Sequence, residues 1–142
     1  MNTKKPYTAP TGTFTANIDG VPNFNDDIRQ LTAGRSLEIA GTQDNANSLV
    51  RTIAIALDPD IPDGIYDFEA DREIRQLGLI ASGSQFYVTE SGEISVNFDR
   101  LGDHYQGAVK IKAYDLWTGE YIYVDGVFDL RGITPVHTCK HQ

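Results

Sequence analysis

A single cysteine, Cys139, stands among the 142 residues, so no internal disulfide framework holds this chain. Apolar residues nowhere run for the roughly 20 positions that a membrane-spanning helix needs. Lys4 and Lys5 resemble the charged start of a signal peptide, but no apolar stretch of about 7–15 residues follows them. The sequence is therefore expected to be soluble, without a signal peptide and without membrane insertion. Basic residues are scarce: 12 Lys and Arg against 20 Asp and Glu leave a net charge of −8. That charge repels phosphate backbones and argues against nucleic acid as a partner. No glycine-rich phosphate loop or dinucleotide fingerprint occurs, so no cofactor is expected. Fixed-period repeats, low-complexity tracts and long helical periodicity are missing as well.

What is present is alternation. Phe14, Ala16 and Ile18 interleave with Thr13, Thr15 and Asn17, and Leu37, Ile39 and Gly41 with Ser36, Glu38 and Ala40. Ile94, Val96 and Phe98 oppose Glu93, Ser95, Asn97 and Asp99, and Val109, Ile111 and Ala113 oppose Lys110, Lys112 and Tyr114. A last run sets Ile122, Val124, Gly126, Phe128 and Leu130 against Tyr121, Tyr123, Asp125, Val127 and Asp129. Period two is the mark of half-buried strands. Gly126 within it signals a bulge or a close backbone approach. Leu49 to Leu57 fills both faces, with Ala54 and Ala56 on the second, and reads as a central strand covered on both sides. Ile65 to Phe68 and Gln76 to Thr89 supply further strands, and Glu69 to Leu77 is compatible with a short helical turn carrying Ile74 and Leu77 on one side. Asp19-Gly20, Ser91-Gly92 and Trp117-Thr118-Gly119 read as hairpin turns, and Asp58 to Gly64 as a stiff surface crossover.

The expected fold is all-β: an antiparallel β-sandwich, or a flattened β-barrel, of about eight to ten strands. It forms one domain over 12–133, between a flexible leader, 1–11, and a polar tail, 134–142.

The order of elements, beginning with Phe14-Thr15-Ala16-Asn17-Ile18-Asp19-Gly20-Val21-Pro22, resembles a family of small all-β domains of unknown function found in predicted bacterial envelope lipoproteins. The Leu37 to Gly41 strand, the apolar Ile53 to Leu57 strand, the Pro62-Asp63-Gly64-Ile65-Tyr66 turn and the late Gly126-Val127-Phe128 strand carry the same likeness. The resemblance spans roughly residues 12 to 131. It implies a sandwich or barrel and suggests an envelope location, and it brings no catalytic residue. Such lipoproteins carry an acylated cysteine at the N-terminus, whereas Cys139 lies at the other end.

Each candidate site has a structural alternative. Asp58, Asp60 and Asp63, close to Gly64, offer hard oxygen ligands of the kind Ca²⁺ takes, but the spacing departs from the EF-hand loop and also suits a solvated turn. Asn25-Asp26-Asp27 reads as a turn in the same way. His137, Cys139 and His141 supply borderline and soft ligands for Zn²⁺ or copper within a tail that is equally well a mobile end. Ser82-Gly83-Ser84 is no nucleophile elbow. His104, with Asp99 and Asp103 nearby, offers acid–base groups without a motif to arrange them. Aromatic residues carry the strongest signal: Tyr87, Tyr114, Tyr121 and Tyr123 fall on the polar side of their strands, with Trp117 at a hairpin tip, as a platform for a sugar face or a protein would require. The alternative is that they cover a sheet face by cross-strand pairing. Two functions are compatible with this pattern: a non-catalytic binding or accessory module for a carbohydrate or protein ligand, or an acidic inhibitor or immunity-like protein masking a basic partner. Nothing in the pattern specifies an oligomeric state.

Overall fold

Residues 9–44, 50–83 and 85–135 are described by the computed structural model, and among them eleven strands and no helix occur. β1 (Thr11–Ile18) and β2 (Val21–Asn25) form a hairpin, followed by β3 (Ile28–Ala33), β4 (Leu37–Gln43), β5 (Arg51–Leu57) and the short β6 (Gly64–Asp67). β7 (Ile74–Ala81), β8 (Tyr87–Asp99), β9 (His104–Asp115), β10 (Tyr121–Arg131) and β11 (Thr134–Pro135) complete the order. The first sheet runs β2-β1-β10-β9-β8-β6 and the second β11-β3-β4-β5-β7. Every pairing is antiparallel except that of β11 on β3. The sheets face each other as an open sandwich rather than a closed barrel. Among the described residues no helix is long and apolar enough to cross a membrane.

The alternation read from sequence selects the buried side chains. Phe14, Val109, Val124, Phe128 and Leu130 of the first sheet meet Leu31, Leu37, Ile39, Ile53 and Leu57 of the second, all at 2% exposure or less. Phe14 sits at the centre, with the Phe128 ring 5.6 Å away and the Phe24 ring edge-on at 6.3 Å. At the β1–β2 turn Asp19 and Gly20 both take positive φ, 55° and 79°, as the tightest hairpin connections require. Gly126 proves to be a close approach and not a bulge: the β10 register is unbroken, and a Cβ there would lie 3.2 Å from Ala16 Cβ and 3.3 Å from Val109.

Three local expectations are corrected. Ser91-Gly92 makes no turn; it lies within β8, whose register slips between Thr89 and Ser91 as a bulge. Glu69 to Leu77 holds no helix: its first residues form turns, with the Asp71 N–H donating to the Asp67 carbonyl at 2.9 Å, and strand begins at Ile74. Ile74 and Leu77 share a side because an extra residue in β7, Arg75, separates the pairs Leu57–Ile74 and Ala56–Gln76, which turns a two-residue period into a three-residue gap. β5 is interior to its sheet and buries Ile53, Ile55 and Leu57 against the core; on its other face Ala56 is buried as well, at 8% exposure, while Ala54 is half-buried, and no third strand layer of described residues lies over them. Strand pairing also reaches past the expected domain limits, since Thr11 pairs with Arg131 and Thr134 with Thr32.

Two side chains tie the sheets together. Asp26, at the β2–β3 junction, is 7% exposed and accepts the Phe14 N–H at 3.2 Å and Arg29 Nε at 2.7 Å. At the opposite margin the Thr89 hydroxyl donates to the Leu77 carbonyl at 2.7 Å, closing an otherwise bare edge of β7.

Candidate functional site

The outer face of the first sheet, away from the core, carries the polar half of the alternation. Antiparallel register places Lys112 beside Tyr123, Lys110 beside Asp125, and Asn17 on the far side of Asp125. On the other flank Ser91 pairs with Lys112, Glu93 with Lys110, and Asp67 with Glu93. These residues line a trough of about 510 Å³ that runs across the strands. A second depression of about 360 Å³, lined by Thr15, Pro22, Phe24, Asn25 and Val127 among others, shares Asn17 and Asp125 with it. The two together span the sheet from β6 to β2, roughly 24 Å for six strands at the usual spacing. The bulge between Thr89 and Ser91 bends β8, and the lengths of β8, β9 and β10 (13, 12 and 11 residues) let the sheet coil into this concave form.

Polar groups in the trough are open to a ligand. Among the described residues, the side chains of Asn17, Ser91, Glu93, Lys110 and Asp125 and the Tyr123 hydroxyl carry no hydrogen bond or ion pair. Lys112, next to them, is held: its Nζ lies 3.1 Å from Glu90 Oε2 and 4.8 Å from the centre of the Tyr121 ring. The Tyr121 hydroxyl donates to Glu90 Oε1 at 2.7 Å, and this bond raises the Tyr121 pKa above its ordinary value. Bonds from Tyr121 and then Lys112 hold the Glu90 carboxyl below the ordinary glutamate range, and the Glu90 contact raises Lys112. The sequence gives no motif for this set; its only signal is the charged residues that alternate along β8, β9 and β10.

Of the expected platform, three tyrosines meet. Tyr121 and Tyr123 stack with centroids 6.4 Å apart and planes 26° apart, and Tyr114 meets Tyr121 edge-on at 6.0 Å. Trp117 stands at the β9–β10 tip, 71% exposed, its backbone N–H accepted by the buried Asp115 carboxylate at 2.9 Å. Tyr87 lies apart from them. It pairs with Asp115, whose side chain belongs to the inner set of β9, and it packs against the core; burial pushes its phenol pKa up. The β8 bulge is the cause, because one extra residue moves every preceding side chain to the other face.

Most of the remaining candidates have structural partners. Asp58 accepts the Asp60 N–H and Asp63 accepts the Phe98 N–H, each at 2.9 Å, while Arg100 donates to the Pro59 and Ile61 carbonyls at 2.8 and 2.7 Å. Asp58, Asp60 and Asp63 thus do not converge, and among the described residues no three His, Cys, Asp or Glu side chains are grouped to hold a metal ion. His137, Cys139 and His141 lie outside the described residues. His104 Nε2 is 2.6 Å from Asp129 Oδ1, and its Nδ1 accepts from Arg131 at 3.2 Å, so both ring nitrogens are engaged. The His104 bond lowers the Asp129 pKa. Asp99 accepts the Gly102 N–H at 3.0 Å, and Asp103 clamps the Gly132 and Ile133 N–H groups, each at 3.0 Å. Ser82 Oγ accepts the Val50 N–H at 3.0 Å. No protein-family model, curated protein or solved structure matches the chain.

Proposed function

We propose that the chain is a non-catalytic binding module whose ligand is an extended oligosaccharide lying across the strands of the first sheet. The observation that carries this reading is the trough itself: free carboxylates, an amide, a hydroxyl and an ammonium side by side next to the Tyr123 ring. Vicinal hydroxyls are at once donors and acceptors. Glu93 and Asp125 accept from them, Lys110 donates to them, and Asn17 does both. The Tyr123 ring, 51% exposed, offers an apolar surface to the C–H face of a pyranose. The length of the trough suits several rings in a row and exceeds the needs of a monosaccharide.

The acidic-inhibitor alternative rests on net charge, yet many of the carboxylates serve the chain's own backbone. Asp67 accepts the Glu69 and Ala70 N–H groups, Asp71 accepts that of Asp67, Asp58 and Asp99 cap other turns, Asp63 accepts the N–H of Phe98 in β8, and Asp103 accepts those of Gly132 and Ile133. A glycan array followed by calorimetry on the strongest ligand tests the proposal. Tyr123→Ala is expected to weaken that ligand about 5- to 30-fold, the equivalent of roughly 1–2 kcal/mol for one stacking ring. A blank array, or equal affinity for Tyr123→Ala and the parent chain, overturns it.

A further inference from the structure

We infer that the oligosaccharide taken by the trough carries free amino groups, with one ligand ammonium seated between Asp67 and Glu93; this rests on the reading of the trough as a sugar site. The antiparallel register sets Asp67, Glu93, Lys110, Asp125 and Asn17 in one row across β6, β8, β9, β10 and β1, and all five line the trough. Asp67 and Glu93 are direct cross-strand partners, which places their Cβ atoms about 5 Å apart. Like charges so opposed are destabilising, and among the described residues neither carboxylate makes an ion pair. Elsewhere on the first sheet acids are matched: Glu90 holds Lys112 at 3.1 Å, and Asp129 is met by His104 at 2.6 Å. Lys110, next in the row, forms an ion pair with neither Glu93 nor Asp125.

Charge and geometry together select an amine. Because Glu90 offsets Lys112, the row keeps three carboxylates against the single ammonium of Lys110 and is negative. A uronate or sulfated glycan is repelled there, and the net charge of −8 repels it at longer range too. A neutral glycan fills the trough but leaves the Asp67–Glu93 repulsion in place. An alkylammonium has three donors and no acceptor, which suits two facing carboxylates, and its bonds to them are charge-assisted. The seat is built before any ligand arrives. Asp67 Oδ1 accepts the Glu69 and Ala70 N–H groups at 2.8 and 3.2 Å, and Asp71 accepts the Asp67 N–H at 2.7 Å, which fixes the carboxylate and leaves Oδ2 open. Asp125, two strands beyond Glu93 and roughly 10 Å away, is a second seat with Lys110 between them, so amines on separate rings of one chain meet separate carboxylates.

Calorimetry on the full chain with three β-1,4-linked hexamers, of glucosamine, of N-acetylglucosamine and of glucose, tests this at about pH 5.5, where amines are protonated and carboxylates are not. The glucosamine hexamer is expected to bind about tenfold or more tighter than the other two at about 0.05 M salt, and the ratio to fall to about threefold at about 0.5 M. Asp67→Asn keeps a side-chain carbonyl for the Glu69 and Ala70 N–H groups, and Glu93→Gln changes an exposed position in mid-strand; each narrows the ratio about threefold or more. Equal affinity for the glucosamine and glucose hexamers overturns the inference and leaves the sugar reading standing. A tenfold ratio that both variants leave unchanged is attraction to the net charge alone and overturns it too. Binding of none of the three also overturns it, and the glycan array then decides whether the sugar reading falls with it.

Discussion

Replacing Asp26 with alanine removes a carboxylate whose side chain is wholly buried and which joins three elements. It accepts the Phe14 N–H at 3.2 Å, so β1 loses a bond beside the most central ring of the core, and it accepts Arg29 Nε at 2.7 Å and a second guanidinium nitrogen at 3.3 Å. A hydrogen bond to a charged group contributes about 1.5–3 kcal/mol, and an orphaned buried N–H costs about 1–3 kcal/mol. The Arg29 side chain is 26% exposed and regains water, so the full 3–5 kcal/mol of breaking a buried pair is not reached. The expected loss is about 3 kcal/mol, which for a chain of this length lowers Tm by roughly 6–12 °C. Asp26→Asn keeps an acceptor for Phe14 and removes the charge facing Arg29, so it is expected to lose about half as much. Urea unfolding followed by circular dichroism measures both. A loss below about 0.5 kcal/mol for the alanine variant would refute the assignment of Asp26 as the pin between the sheets.

Other perturbations have equally definite outcomes. Gly107→Ala places a methyl group against the Phe128 ring and the Ser95 carbonyl, so unfolding should show a loss of about 1–3 kcal/mol; an unchanged midpoint would contradict the close approach of β8, β9 and β10 there. Thr89→Val deletes the hydroxyl that covers the Leu77 carbonyl and should lose about 1 kcal/mol, with faster amide exchange in β7 but not in β4; uniform exchange would contradict a local role. Because the Glu90 pKa is depressed, its hold on Tyr121 and Lys112 is complete at neutral pH and disappears as pH falls through that lowered value. The Tyr121 ring resonances should therefore titrate with a midpoint below the ordinary glutamate value of 4.5, and a midpoint at or above it would refute the contact.

The sandwich was legible because burial on one face leaves a two-residue period, and along the β9–β10 pairing no irregularity interrupts it. Legibility failed where a single extra residue entered. The β8 bulge made Ser91-Gly92 resemble a turn and placed Tyr87 on the wrong face, and Arg75 gave Ile74 and Leu77 a helical spacing inside a strand. Half-filled faces mislead differently. Ala54 and Ala56 announce a strand covered on both faces, and the structure buries Ala56 but leaves Ala54 half-buried without a third strand layer of described residues over it. The trough was the least legible feature, because it is assembled from residues on five strands and one turn, with Asn17 and Asp125 more than a hundred positions apart. Asp26 was hidden too, since a buried acid at a sheet junction and an exposed acid in a turn look alike in a row of letters.

The proposed function places the ligand on the outer face of the first sheet. Amide chemical-shift mapping during titration with an array-selected oligosaccharide tests it most directly. Saturable shifts are expected at Asn17, Ser91, Lys110, Tyr123 and Asp125, with the β3, β4 and β5 amides unmoved. Shifts centred on β3 to β5 or on the Trp117 tip, with the trough silent, would contradict it.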